Sequence, residues 1–200
     1  PVITYNYDNE HITPYSFDVE LDDNRMKAEY ALSHQSAIYR ITYEADKPAY
    51  LIVNSRNGSI HANENFISGR QQLNDNTNVY VYIEAQEKPI SAGILENGTI
   101  ETSKDNAEGA NACAAWRFAD GTTTVNLRYG FSFISEDQAE KNLHRELKDY
   151  NIKALAEAGR QIWNETLGRI QVEGGTEDDK TVFYSSFYRT FERPICMSED

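Results

Sequence analysis

The sequence predicts a mainly β protein, an antiparallel β-sandwich followed by α-helices, and three observations lead to this fold class. From Tyr15 to Phe133 the chain consists of short runs of aromatic and β-branched residues, as a sheet protein requires. Asx-Gly pairs, which tolerate the positive φ of tight hairpins, separate several of these runs. After Phe133 the apolar residues recur at helical spacing. Many antiparallel strands with little helical periodicity among them favour two stacked sheets over a barrel.

The runs before Phe133 predict eight strands. They are Tyr15 to Leu21, Met26 to Ser33, Ala37 to Tyr43, Tyr50 to Asn54, Phe66 to Leu73, Asn78 to Ala85, Ala112 to Phe118 and Thr123 to Phe133. Turns are expected at Asp22-Asp23-Asn24, Asn57-Gly58, Asn97-Gly98 and Asp120-Gly121, and the polar run from Ser103 to Asn111 is expected to be a loop. Both faces of Asn78 to Ile83 are bulky and apolar, so we expect this strand to be central.

Two helices are expected directly after the strands. Ser135 and Gln138 form a capping-box pattern, and Leu143, Leu147 and Tyr150 follow at helical spacing. A second apolar stripe at helical spacing predicts a helix from about Ile152 to Leu167. These helices would connect the sandwich to whatever lies beyond them.

A third helix is predicted to begin at a cap formed by Thr176 and Asp179. It is expected to close at Arg193-Pro194, because the residue before a proline is disfavoured in the α region. Its apolar residues cover most of its circumference: Val182, Phe183, Tyr184, Phe187, Tyr188 and Phe191. Such a helix belongs inside a large helical assembly, and only two other helices are available here as cover. We therefore expect the 200 residues to be part of a larger protein.

Composition excludes some classes of partner. The 32 acidic and 19 basic residues give a formal net charge of -13, which would repel nucleic acid and anionic membranes. No apolar run approaches the roughly 20 residues of a membrane-spanning helix. Cys113 and Cys196 could pair, but the apolar run around Cys113 favours a buried free thiol.

Catalytic signatures are scarce in this sequence. It contains no G-x-S-x-G elbow, Walker loop, H-E-x-x-H or C-x-x-C motif. The four histidines are scattered among separate elements, where structural roles are favoured: His11, His34, His61 and His144. Acidic clusters at Asp22-Asp23, Glu177 to Asp179 and Glu199-Asp200 are interpreted as a turn, a negative helix start and a chain end. Tyr5, Tyr7 and Trp116 could stack on sugars, although core packing is favoured for Trp116.

Three pieces lie in the second half of the sequence: Phe131 to Leu143, then Trp163 to Gly174, and then Phe183 to Arg189 with Pro194. In their order and spacing they resemble glycoside hydrolase family 92. The resemblance implies a calcium-dependent, exo-acting α-mannosidase with an N-terminal β-sandwich, connecting helices and an (α/α)6 barrel. It divides the chain into a sandwich over 1–134, a helical connector over 135–175 and the start of a truncated barrel over 176–200.

The family resemblance also implies where the chemistry would lie. Inverting glycosidases use an acid and a base whose carboxyl groups stand roughly 6.5–9.5 Å apart. In the family these groups and the calcium ligands belong to the barrel beyond Asp200, so we expect no catalytic residue and no bound calcium within this chain. Tyr188, Arg189 and Arg193, near the barrel entry, are candidate substrate-binding residues. A mannose-containing glycan would then be bound through the missing domain, in a periplasmic or secreted protein.

Two other functions stay open at this point. The chain could be a stand-alone carbohydrate-binding or adhesive β-sandwich module, because sandwiches serve many unrelated functions. It could also be an interaction protein whose apolar last helix binds a partner. Both alternatives differ from the enzyme in what should follow residue 200.

Overall fold

The computed structural model describes residues 5–21, 26–44, 46–74, 76–191, 193 and 198–199. These residues form eleven strands: β1 (Glu10–Ile12), β2 (Ser16–Leu21), β3 (Met26–Leu32), β4 (Ser36–Thr42), β5 (Tyr50–Ala62), β6 (Ile67–Asn74), β7 (Thr77–Ala85), β8 (Ser91–Glu96), β9 (Thr99–Glu101), β10 (Asn106–Arg117) and β11 (Thr124–Ser132). A short 3₁₀ turn, Tyr7–Asn9, precedes them, and the helices α1 (Glu136–Glu146), α2 (Ile152–Leu167) and α3 (Glu177–Arg189) follow. The predicted turn Asp22-Asp23-Asn24 and the residues Pro194 and Cys196 lie outside the described part.

All strand pairs are antiparallel and run in the order β1-β2-β3-β4-β11-β7-β6-β5-β10-β8-β9. The sheet folds over on itself, because Leu51 of β5 lines the same interior gap as Ile41 of β4 and Leu127 of β11. In the hydrogen-bonded order β5 is separated from β11 by β7 and β6. One layer therefore faces the other, and the predicted β-sandwich is confirmed.

The main core lies between the two layers. Its largest fully buried side chains are Trp116 and Phe118, whose rings meet edge to face with centroids 6.5 Å apart. Burial of the Trp116 indole would leave a polar N–H without water, and its Nε1 donates to the Asn63 carbonyl at 2.7 Å. Trp116 is therefore a core residue, as favoured above, and is unavailable to stack on a sugar.

Every predicted strand is present, and β7 lies centrally between β11 and β6 as expected. Three strands escaped prediction: β1 and β9 are only three residues long, and β8 has a short apolar run interrupted by Gly93. The turn at Asn97-Gly98 is confirmed: φ is 49° and 80° at the two residues, as a tight hairpin between β8 and β9 requires.

Two predictions about the longest strands were wrong. Asn57-Gly58 is not a turn but lies inside β5, and most of the predicted loop from Ser103 to Asn111 belongs to β10. Residues Tyr50 to His61 of β5 pair with β10. Each strand therefore supplies backbone hydrogen-bond partners for the other along this length. Gly58 is needed for a different reason, because a Cβ there would collide with the carbonyl of Arg70 on β6.

The helices begin where their caps predict. The Ser135 hydroxyl accepts the N–H of Gln138 at 3.1 Å, and Thr176 and Asp179 form a reciprocal capping box. The ends differ from the prediction, because α1 stops at Glu146, before two of the apolar residues assigned to it. The third helix stops at Arg189 rather than at Arg193-Pro194. Its final turn tightens there, since Thr190 donates from both its N–H and its hydroxyl to the Phe187 carbonyl.

The first helix covers the outer face of the sandwich. Its fully buried Ala139 and Leu143 join a second core with Ala31, Ile38 and other residues of the sheet. The backbones approach closely at Gly130 of β11, where an added Cβ would meet Ala139 and Leu143. None of the helices formed by the described residues is long and apolar enough to cross a membrane.

Candidate functional site

The three predicted substrate-binding residues lie at the end of the described helices. The Tyr188 ring of α3 stands 4.8 Å from the Trp163 ring of α2, at an interplanar angle of 62°. Arg189 and Arg193 are exposed to solvent. The structure thus brings Tyr188 onto α2 and leaves both guanidinium groups accessible, while their role in substrate binding stays a prediction.

An apolar surface runs along α2 and α3. Along α3 and just past its end, the rings of Phe183, Phe187 and Phe191 follow one another with centroids 6.1 and 5.2 Å apart, and Phe191 also meets Trp163. All thirteen residues of α3 are described and none is buried, and Val182 is 66% exposed. We call this aromatic surface the helical face. Exposed apolar patches of this kind are typical of surfaces that contact another protein element, a partner or a ligand.

A second feature, the junction cluster, joins the β3–β4 turn, α1 and the end of the described chain. Its members are Gln35, Asn142, Arg145, Glu146 and Glu199. The Glu146 carboxylate accepts the backbone N–H of Gln35 at 3.0 and 3.2 Å, and Arg145 donates to the Gln35 side-chain oxygen at 2.9 Å. Both Gln35 and Asn142 are buried. Polar groups at such positions need partners, and this cluster supplies them.

Glu199 is the most heavily bonded acid of the junction cluster. Its Oε1 accepts the N–H of Phe133 at 2.8 Å, and its Oε2 accepts the Asn142 amide at 2.9 Å. Partial burial alone would raise the pKa of Glu199, but the donors Phe133, Ser132 and Asn142 outweigh it, so the pKa is lowered. Glu199 therefore has structural contacts that its interpretation as part of a chain end did not predict.

A third feature is a set of polar contacts that holds α1 against the sheet. Arg128 of β11 donates two hydrogen bonds to Glu84 of β7, at 2.6 and 2.9 Å, and one to the Leu147 carbonyl at 3.0 Å. The other oxygen of Glu84 lies 2.8 Å from His144 Nε2, so this histidine is structural, as predicted. The Arg128 guanidinium also lies over the Tyr150 ring, 5.0 Å from its centroid.

Within the described residues, no group of three or more His, Cys, Asp or Glu side chains is placed to hold a metal ion. The acidic run at the start of α3 instead caps the helix: Asp179 bonds to Thr176, and Glu177 pairs with Lys180 at 2.9 Å. Cys113 is a free thiol whose pKa is raised by burial. These residues do not fit a calcium site of their own.

Two aromatic side chains remain accessible near the start of the described chain. Tyr5 and Tyr7 are 41% and 78% exposed, and their rings meet edge to face with centroids 5.7 Å apart. A groove of about 290 Å³ also lies between α2 and the β3–β4 turn, lined by Tyr15, His34 and Trp163 among others. No acidic side chain among the described residues lines the groove. Beside the tyrosine pair, Asp8, Glu10, Asp18 and Glu20 line an open surface pocket together with Lys27.

Comparison with protein families decides what kind of domain this is. The model for the glycosyl hydrolase family 92 N-terminal domain matches residues 2–132, which are the sandwich. The chain belongs to glycosyl hydrolase family 92. The model for the family 92 catalytic domain matches residues 138–200, which contain α2, α3 and all but the first two residues of α1. The finer boundaries at residues 134 and 175 stay predictions.

Solved family 92 structures share this fold. The inverting family 92 mannosidase of Bacteroides thetaiotaomicron is 25% identical over 96% of this chain, with a TM-score of 0.85. A second family 92 α-mannosidase from that organism is 22% identical over 99% of the chain, with a TM-score of 0.86, which shows the fold. The chain spans only 27% and 29% of the length of these two proteins.

A curated relative comes from Arthroderma benhamiae, where it is called an uncharacterized secreted glycosidase. It is 34% identical over 80 residues, which is 38% of this chain and 10% of that protein. All of these relatives are thus much longer than this chain of 200 residues.

Proposed function

We propose that this chain is the N-terminal, non-catalytic part of an α-mannosidase that releases mannose from α-mannosides with inversion. In this role the sandwich supports a catalytic (α/α)6 barrel and walls its active site. The observation that carries the proposal is the division of the chain between two family models, the N-terminal domain over 2–132 and only a 63-residue beginning of the catalytic domain over 138–200.

The helical face supports this role. Its rings, among them Trp163, Phe187 and Phe191, would cost free energy if they stayed exposed in a finished protein. Further helices of a barrel would bury them and convert α3 from an exposed helix into an internal one. Tyr188, Arg189 and Arg193 would then stand at the entry to the barrel, where Arg189 and Arg193 are free to turn towards a sugar.

The chemistry of the proposed enzyme needs groups from beyond this chain. An inverting glycosidase needs one carboxylic acid to protonate the leaving oxygen and one carboxylate to activate water on the opposite face of the sugar. Calcium would be held by residues beyond residue 200, since the described residues do not fit a site for it. The junction cluster, by contrast, consists of side chains already engaged with one another.

Relatives support the substrate class and the location. The two solved relatives from Bacteroides thetaiotaomicron are named as mannosidases, and the second was also solved in complex with mannoimidazole. A mannose-containing glycan is therefore the proposed substrate, and an α-linked mannoside the bond cleaved. The secreted relative from Arthroderma benhamiae supports a periplasmic or secreted location.

The test is an assay on α-1,2-linked mannobiose. We expect no turnover by the 200-residue chain, turnover by a longer polypeptide that carries the complete catalytic domain, and loss of that turnover with a calcium chelator. Mannose release by the 200-residue chain alone would contradict the proposal. Tight binding of the disaccharide by that chain without any turnover in the longer polypeptide would favour a carbohydrate-binding module, for which the exposed Tyr5–Tyr7 pair is the candidate surface.

A further inference from the structure

The chain returns to the sandwich after α3, at the junction cluster. There the Ser198 carbonyl accepts the Gln35 side-chain amide at 2.8 Å, and Glu199 accepts from Phe133 and Asn142. These bonds join residues that are 57 to 163 positions apart in the sequence. Ser198 and Glu199 are therefore attached to the β3–β4 turn, to Phe133 and to Asn142 of α1.

Without this attachment α3 would have few supports. It has no buried residue, and its neighbour α2 meets it through the ring contacts of Trp163 with Tyr188 and Phe191. The second helix is itself fixed to the sandwich near its beginning, through buried Ile152 and through Gly159, which lies against Tyr15. The third helix thus lies between two attachments, one through α2 and one through Glu199.

The Glu199 carboxylate suits its position because the groups that donate to it would not readily find another acceptor. Asn142 is completely buried, with its oxygen accepting from Gln138 and its nitrogen shared between the Phe131 carbonyl and Glu199. Phe133 lies just past the end of β11, and its N–H donates to Glu199. Hydrogen bonds to a charged group contribute more than neutral ones, and a buried donor left without an acceptor is costly.

We propose that Glu199 is a positioning residue, which limits the orientations of α3 relative to the sandwich because the chain that follows α3 is bonded at Glu199 to Phe133 and to Asn142 of α1. The role does not depend on mannosidase activity, so it can fail or hold independently of the proposed function. It assigns a specific task to a carboxylate that would otherwise be one of many acidic residues in a chain with net charge -13.

The test measures the distance between α3 and the sandwich in solution. Spin labels are attached at Val182 of α3 and Leu73 of β6, both exposed, in a 200-residue chain whose Cys113 and Cys196 are replaced by serine. Glu199→Gln keeps the size of the side chain but removes the charge. The matched control is Glu173→Gln, an exposed acid in the turn before α3.

We expect a narrow distance distribution for the parent chain and for Glu173→Gln, and a broad one for Glu199→Gln. Exchange of the Phe133 amide proton should also become about tenfold faster in Glu199→Gln, because its charged acceptor is lost. Distance distributions that are the same in both variants would overturn the proposal, even if Phe133 exchange changes. Circular dichroism checks folding, and Glu199→Asp, which keeps the charge but has a shorter reach, replaces Glu199→Gln if that variant unfolds.

Discussion

The first and third helices of this chain have similar lengths but opposite relations to the rest of the molecule. The first buries Ala139, Asn142 and Leu143 against the sheet and is fastened by Arg128 and Glu84. The third buries nothing and displays rings. The difference teaches that α1 is stabilised by the sandwich, whereas α3 gains little from it and, under the proposed function, would be covered by further helices.

The comparison is tested most strongly by removing one apolar side chain from each kind of helix. Leu143→Ala should lower the free energy of unfolding by about 2–5 kcal/mol, because it leaves a cavity in a fully buried contact. Val182→Ala on α3, where the side chain is 66% exposed, should change it by at most about 0.5 kcal/mol. Urea unfolding followed by circular dichroism gives both values. Equal losses would show that the helices do not differ in this way.

The next test concerns pH, because Glu199 joins the two regions. A carboxyl whose pKa is lowered by folding contributes stability above its unfolded pKa, and that stability is lost as the pH falls through its folded pKa. The attachment of Glu199 should therefore persist at neutral pH and release only in acid. Two charged groups of α1, Arg145 and Glu146, lie in the same cluster, and Arg145 helps to lower the pKa of Glu199.

The nuclear magnetic resonance shift of the Phe133 amide, followed from about pH 7 to about pH 3, reports this release. Its midpoint should lie below the ordinary glutamate value of 4.5, and the dependence should vanish in Glu199→Gln. A midpoint at or above the ordinary value would mean that the hydrogen bonds to Glu199 are weak in solution. A midpoint that survives in Glu199→Gln would show that a group other than Glu199 causes the change.

Local sequence signals predicted the parts of the fold that depend on neighbouring residues. Helix starts at Ser135 and Thr176 could be predicted because each cap lies within three residues of its partner. The hairpin at Asn97-Gly98 was equally local. The long pairing of β5 with β10 was missed, because polar and glycine-containing strands form when a partner strand supplies the hydrogen bonds, and the partner is distant in sequence.

The junction cluster shows the same limit for a site. Nothing near Glu199 in the sequence distinguishes it from the other acids, and its partners Asn142 and Phe133 lie 57 and 66 residues away. Asn142 offered a weak signal, as a polar residue next to Leu143 on the apolar stripe of α1. The resemblance could predict the fold and the family, but not which side chains of this chain would attach the segment after α3 to the sandwich.

The smallest expected effect on the sandwich comes from placing a charge on the helical face. Phe187→Asp in the 200-residue chain should raise solubility and change the free energy of unfolding of the sandwich by at most about 0.5 kcal/mol, because α3 covers none of the core. Ser186→Asp is the control, since Ser186 is an exposed neighbour on the same helix. It carries the same helix-propensity cost without touching an aromatic ring.

In a longer polypeptide with the complete catalytic domain, the two substitutions should separate. Phe187→Asp would bury an unpaired carboxylate among helices and prevent folding, whereas Ser186→Asp would be tolerated if its side chain still faces solvent. Soluble expression and thermal unfolding of the two longer variants give the comparison. If both longer variants fold equally well, then α3 is not an internal helix, and its rings would have to serve a different partner.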